Sequence, residues 1–312
     1  MKKKLVTVKN TFHLRKEQVK STKIGAYIHQ FISSCRKADV FQKAAQLAYH
    51  LMFAFFPLLI FLLSVLSFTT FNQEETLAQI LQVLPFGARE LIRTILLDVV
   101  KSRSATLLSV SIVLALWSGS NGLRHLIVAT EKAFHVNAGK RNFFITRGLA
   151  ILSTLVFVAL ILLTLTSQVF GKVLFNAIAP YAANIAGFET IWLILFDLIP
   201  ILFVVLALAS FYHLLPHFPK GKRIPFRYAF VGGLFAGLGW LLVSYGFQLY
   251  VNRFANYANT YGSLGGVIVL MIWLYLTSLM ILLGAHVAAT AFFLRQKGGE
   301  LSTSQKADSL VK

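Results

Sequence analysis

Five long apolar stretches, each long enough for a helix to cross a bilayer, restrict this chain more than any other feature. They run at Ala44–Phe71, Gly148–Gly171, Thr190–Leu215, Ala229–Val251 and Val267–Leu294, with a shorter one at Ala105–Gly119. A hydrocarbon core about 30 Å thick takes roughly 20 apolar residues as a helix. Backbone groups in lipid must bond within their own segment, so such stretches are expected to be helices rather than open strands. Composition agrees, with 57% hydrophobic and 13% charged residues, against roughly 25% charged in soluble domains. The fold class expected is an all-α integral membrane protein. It divides into a basic tail over 1–43, a membrane domain over 44–294 and a polar tail over 295–312.

The net charge of +19 would point to nucleic acid if it were spread over a soluble surface. Its distribution has a simpler reading. The segment before Ala44, Ser120–Arg147, Pro216–Tyr228 and the C-terminal tail hold 24 of the 30 Lys and Arg residues. Asn72–Ser104, Lys172–Glu189 and Asn252–Gly266 hold the remaining 6. Cytoplasmic loops collect Lys and Arg. The alternation works only if Ala105–Gly119 also spans, which gives about six spans with both termini cytoplasmic. A multi-pass position in a membrane is the expected location. The first apolar block begins only at residue 44 and is too long for a signal's apolar core, so it is expected to stay as an anchor.

Two segments outside the spans are amphipathic. Ile24, Tyr27, Ile28, Phe31, Ile32 and Cys35 recur at spacings of 3 and 4 behind a run of lysines, the pattern of a basic helix lying in the membrane interface. Anionic lipids at the cytoplasmic face are the partner this predicts, the alternative being a helix packed on the bundle. Leu91, Ile92, Ile95, Leu96, Val99 and Val100 predict a second such helix in the first outer loop. The one cysteine, Cys35, excludes an internal disulfide framework and Cys-rich metal sites.

Helices in lipid associate through close backbone approach and a few hydrogen bonds. Gly232, Gly233, Ala236, Gly237 and Gly239, with Gly284, Ala285, Ala288 and Ala289, and Ala44, Ala45 and Ala48, predict helix contacts within one bundle; a homo-oligomer contact is the alternative. Pro57 and Pro200 each remove a backbone donor inside a span and are expected to kink it. Asp197, the one acidic residue deep in a span, is a functional hypothesis by default. Gln168, Tyr245, Gln248 and Arg253 fall at a similar depth, which defines a candidate outer polar site. Gln46, His50, His286, Asn121 and His125 define an inner one, with His213 near it. These groups either handle protons or substrate, or they satisfy one another and set helix register. His50 and His286, at matching depth, are expected to approach one another. No catalytic residue, metal site or cofactor is predicted.

The residues AAQLAYHLMFAFFPLLIFLLSVL at 44–66, LWSGSNGLRHLIVATEKAFHV at 116–136 and the stretch 211–289 resemble the YihY/BrkB family of bacterial inner-membrane proteins. Tyr261-Gly262-Ser263-Leu264-Gly265 and Trp273-Leu274-Tyr275 are specific in combination. The resemblance implies a six-span bundle linked to virulence-related traits and suspected of transport or export. His50 stands where the family often has tyrosine, and His286 where it often has glutamate, so a mechanism resting on that glutamate would not carry over. Two histidines at one depth would instead form a pair titrating near neutrality.

Families of this kind have also carried a ribonuclease label. Metal-dependent phosphodiester hydrolysis needs clustered carboxylates or histidines, whereas the 11 acidic residues here are scattered. No aromatic and basic platform for RNA is evident, so no nucleic-acid partner is expected. No Gly-Lys-Ser/Thr phosphate loop occurs either. A transporter, exporter or lipid-translocating protein is the first functional expectation, since short and interrupted helices often line transport sites. A non-transporting membrane scaffold is the second.

Overall fold

A computed structural model of the chain describes residues 23–67, 104–136, 142–179, 187–218, 223–254 and 263–310, with the single positions Leu81 and Arg93. Among these residues every regular element is a helix: α1 (Lys23–Lys37), α2 (Val40–Ser67), α3 (Ala105–Ala133), α4 (Phe143–Ile178), α5 (Phe188–Leu214), α6 (Phe226–Phe254) and α7 (Ser263–Leu310). Segments of α2, α3, α6 and α7 are long and apolar enough to cross a membrane, at Val40–Leu62, Ala105–Ala133, Phe226–Val251 and Gly265–Gln296. Shorter apolar helical segments occur at Phe144–Ala159 and Pro200–Leu214. The predicted outer-loop helix from Leu91 to Val100 lies outside the described residues, Arg93 apart.

Helix limits follow local chemistry. Ser104 caps α3 by accepting from the Leu107 N–H at 3.2 Å, and Asn142 caps α4 by accepting from the Phe144 N–H at 3.1 Å. Each satisfies one donor that a helix start leaves without an internal partner. Helices α2 and α5 run as single helices through Pro57 and Pro200. Helix α7 continues past its apolar part to Leu310, so the backbone of the predicted polar tail prolongs this helix.

From α2 onward neighbouring helices pack antiparallel, so one end of the bundle gathers α1, the starts of α2, α4 and α6, the ends of α3 and α5, and the part of α7 around His286. Side-chain hydrogen bonds tie α1, α5 and α6 to α7. Tyr212 of α5 donates to the Ile281 carbonyl of α7 at 2.6 Å, and Tyr27 of α1 donates to the Val287 carbonyl at 3.2 Å. Farther along, the Trp240 indole N–H donates to Thr277 Oγ1 at 3.1 Å, and the Trp273 indole N–H to Ser244 Oγ at 3.2 Å. Helices α6 and α7 are thus cross-linked reciprocally, each supplying one indole and one hydroxyl.

Helix α6 has the polarity of a lipid-exposed element. Val231, Leu234, Phe235, Leu238, Leu242, Tyr245 and Leu249 form an exposed stripe, while Gly232, Gly233, Ala236 and Gly237 are buried. With lipid outside, large apolar residues have no reason to turn inward, and small ones let backbones approach. A Cβ at Gly233 would lie 2.7 Å from the Val205 carbonyl oxygen of α5, and one at Gly232 2.5 Å from the Gly284 carbonyl oxygen of α7. The small-residue surfaces are therefore occupied within one chain.

Candidate functional site

The polar side chains of the α1 end form two groups on different helix seams. The first lies between α2, α3 and α4. Gly122 brings α3 against His50, with a Cβ there 3.7 Å from that of His50. The imidazoles of His50 and His125 stack at 4.0 Å between centroids, 11° from parallel. Tyr49 meets the His50 ring edge-on at 5.5 Å. One turn away on α3, Asn121 Oδ1 accepts from Arg147 Nη1 of α4. The Arg147 guanidinium lies over the Trp117 ring at 4.8 Å, a contact worth about 0.5–2 kcal/mol depending on desolvation. Gln46, expected in this group, is exposed and accepts from Lys43 Nζ at 3.0 Å.

The second group joins α1 to α7. His286 is 2% exposed, and its Nδ1 lies 2.8 Å from Ser34 Oγ. His50 and His286 thus have different partners: His125 by stacking, and Ser34 by a hydrogen bond. The expected inner polar site is split accordingly. His213 serves a third purpose, with Nδ1 2.7 Å from the Ile224 carbonyl across the α5–α6 connection.

Helix α1 packs one face on the bundle. Ser34 and Cys35 are buried, as is Ala38 just after the helix, while Ile24, Ile28 and Ile32 are 75%, 50% and 53% exposed. The apolar residues of the sequence pattern thus divide between a face packed on the bundle and an exposed stripe. Burial pushes the Cys35 thiol up to about 11 and raises the Tyr27 phenol as well.

Of the expected outer site, Tyr245 is 65% exposed on the outward stripe of α6, and Gln248 is exposed on the same helix. Gln168, Asp197 and Arg253 fall in helices α4, α5 and α6, with side chains outside the described ones. Whether these five meet therefore lies outside the described residues.

Sequence reasoning passed over Glu131. It sits in the apolar run from Leu126 to Phe134 and is 2% exposed. Its Oε1 accepts from the His217 backbone N–H at 2.9 Å, which ties the end of α3 to the segment after α5. A lone carboxylate inside an apolar helical run was the available signal. Glu131→Ala removes this part-buried hydrogen bond to a charged acceptor, a loss of about 1.5–3 kcal/mol. A lower melting temperature in detergent, largely restored in Glu131→Gln, is the expected result.

Residues 31–309 match the family described as Virulence factor BrkB. The chain belongs to this family. Among relatives of this BrkB-family chain, it is 34% identical over 247 residues to the "Putative ribonuclease-like protein YfkH" of Bacillus subtilis, covering 79% of this chain and 88% of that one. It is 36% identical over 104 residues to the "UPF0761 membrane protein" of Psychromonas ingrahamii, about a third of each chain. Over 98 residues, 31% of this chain and 22% of that one, it is 33% identical to "UPF0761 membrane protein Nmul_A0452" of Nitrosospira multiformis. No solved structure matches. The relatives and the apolar helices together make this a membrane protein. Among the described residues no three His, Cys, Asp or Glu side chains come together as a metal site.

Proposed function

We propose that this BrkB-family protein is a six-span protein of the bacterial cytoplasmic membrane, both termini cytoplasmic, that moves an amphipathic or lipid substrate across the bilayer. The observation that carries the reading is the polar layer of α2–α4. His50, His125, Asn121 and Arg147 are part-exposed beside an apolar outer wall, where Val113, Leu114, Ile151 and Leu152 are exposed. Ionisable groups held there are expensive unless a function retains them. A substrate with a polar head and apolar chains meets matching chemistry at that wall. The Lys and Arg distribution supports the orientation. The exposed Ile24, Ile28 and Ile32 stripe of α1 supports its lying in the cytoplasmic interface against anionic lipids. A membrane scaffold is the second reading, favoured by the tight α5–α6–α7 packing.

Topology is tested directly by reporter fusions. Those after Lys140, Lys222 and Lys306 are expected to report cytoplasm, and those at Glu75, Ala183 and Asn256 the outside. A periplasmic signal at Lys222 rejects the six-span arrangement. For function, purified protein in liposomes with fluorescent phospholipid is expected to raise the rate of lipid exchange between leaflets. Asp197→Asn, folded and inserted, is expected to reduce that rate. Exchange equal to that of protein-free liposomes favours the scaffold.

A further inference from the structure

We propose that the α3–α4 seam binds the phosphate of an anionic membrane lipid, with Arg147 as its principal ligand. The inference goes beyond the transport reading, because a lipid held at this seam suits a scaffold as well as a translocator.

Arg147 stands in the first turns of α4, whose start is set by the Asn142 cap. Two contacts hold its guanidinium. Nη1 donates to Asn121 Oδ1, and the planar group rests over Trp117 at 4.8 Å. With one donor engaged and the plane fixed by the indole, the other N–H groups of the fork remain to bond an anion. Arginine suits phosphate because the fork matches two of its oxygens at once. Pre-orientation by Asn121 and Trp117 reduces what binding must order.

Among the described residues no carboxylate pairs with Arg147. Its charge is held at a face that is otherwise apolar and exposed: Trp117 is 67% exposed, Phe144 78%, Ile145 55%, Leu114 50% and Leu155 45%. An arginine in such surroundings needs a counter-charge, and headgroup phosphates lie at the depth where tryptophan rings gather. The exposed wall running from Trp117 toward Val110 on α3, and from Arg147 toward Val156 on α4, offers acyl chains a surface. Free phosphate would gain nothing from that wall, so the lipid is the source.

The test is native mass spectrometry of the full-length protein released from bilayers of mixed phosphatidylglycerol and phosphatidylcholine. The wild-type chain is expected to retain phosphatidylglycerol preferentially. Arg147→Gln is expected to weaken retention about tenfold. Lys132→Gln, which removes an exposed charge in the last turn of α3, is expected to leave it unchanged. Trp117→Leu alters an exposed position and covers the case in which Arg147→Gln does not insert; retention about threefold weaker is expected. Unchanged retention in Arg147→Gln or in Trp117→Leu overturns the proposal. Equal loss in Lys132→Gln overturns it too, since it would reduce the effect to net charge. Displacement of the lipid by millimolar inorganic phosphate would make this a free-anion site and overturn the lipid assignment.

Discussion

Gly284→Ala is expected to lower the melting temperature of the solubilised protein by roughly 3–5 °C, a loss of about 2–3 kcal/mol. The added methyl would lie 2.6 Å from the Gly232 carbonyl oxygen, 2.7 Å from the Ala236 Cβ and 2.9 Å from the Tyr212 hydroxyl. The first two belong to α6 backbone or to an atom bonded to it, and neither can turn aside. The Tyr212 hydroxyl is tied to the Ile281 carbonyl. Relief therefore requires α6 and α7 to separate, which strains the Trp240–Thr277 and Trp273–Ser244 hydrogen bonds farther along the same seam. Gly232→Ala meets the mirror-image obstruction from the Gly284 carbonyl and is expected to behave alike. Gly246 and Gly148 have nothing within 4 Å of an added Cβ, so alanine there is expected to change stability by less than about 0.5 kcal/mol. Equal melting temperatures for Gly284→Ala and Gly246→Ala would show that α6 and α7 do not pack this closely.

Undocking of α1 is the second large effect, and Cys35 reports it. The thiol is buried where α1 meets the bundle, and burial pushes its pKa up to about 11. An ordinary cysteine ionises near 8.5. At pH 8 the docked thiol is therefore on the order of a hundredfold poorer in thiolate than a free one. Maleimide labelling of the wild-type chain is expected to be slow and to climb about tenfold per pH unit through pH 9 and 10. His286→Ala removes the partner of Ser34 Oγ and is expected to speed labelling at pH 8 more than about tenfold, with a plateau near pH 9. Asparagine at 286 places a polar nitrogen or oxygen close to where Nδ1 stood, so His286→Asn is expected to restore much of the protection. The sign of the linkage is fixed by the same shift. The docked state holds the thiol proton more tightly, so docking weakens as pH rises above the free thiol's pKa. Wild-type labelling as fast as that of His286→Ala would mean that Ser34 and His286 do not hold α1 in place.

Lipid contact explains why so much of the architecture could be read from residues in order. The apolar blocks determine a helical membrane protein because the bilayer imposes a length and forbids unpaired backbone, and neither demand depends on which helix packs on which. The small residues of α6 were legible for a similar reason: Gly232, Gly233 and Gly237 have no use on a lipid-facing surface, and their buried contacts with α5 and α7 follow. The amphipathic face of α1 was equally visible in the spacing from Ile24 to Cys35.

Polar partners were not legible, because they depend on the azimuth of each helix as well as on depth along it. Each residue turns a helix by about 100°, so residues expected at one depth can find different partners, as His50 does with His125 and His286 with Ser34. Gln46 lies one turn from His50 and still points out of the group, toward Lys43. Glu131 gained its meaning only when the end of α3 met the His217 backbone across the fold. Arg147 counted as one more positive charge in a loop until α4 laid it beside Asn121 and over Trp117. The sequence by itself determined that this chain lives in a membrane as helices, and which faces hold small residues. Tertiary structure alone decided which polar groups meet, because helices free to rotate about their axes in lipid are oriented only by the neighbours they pack against.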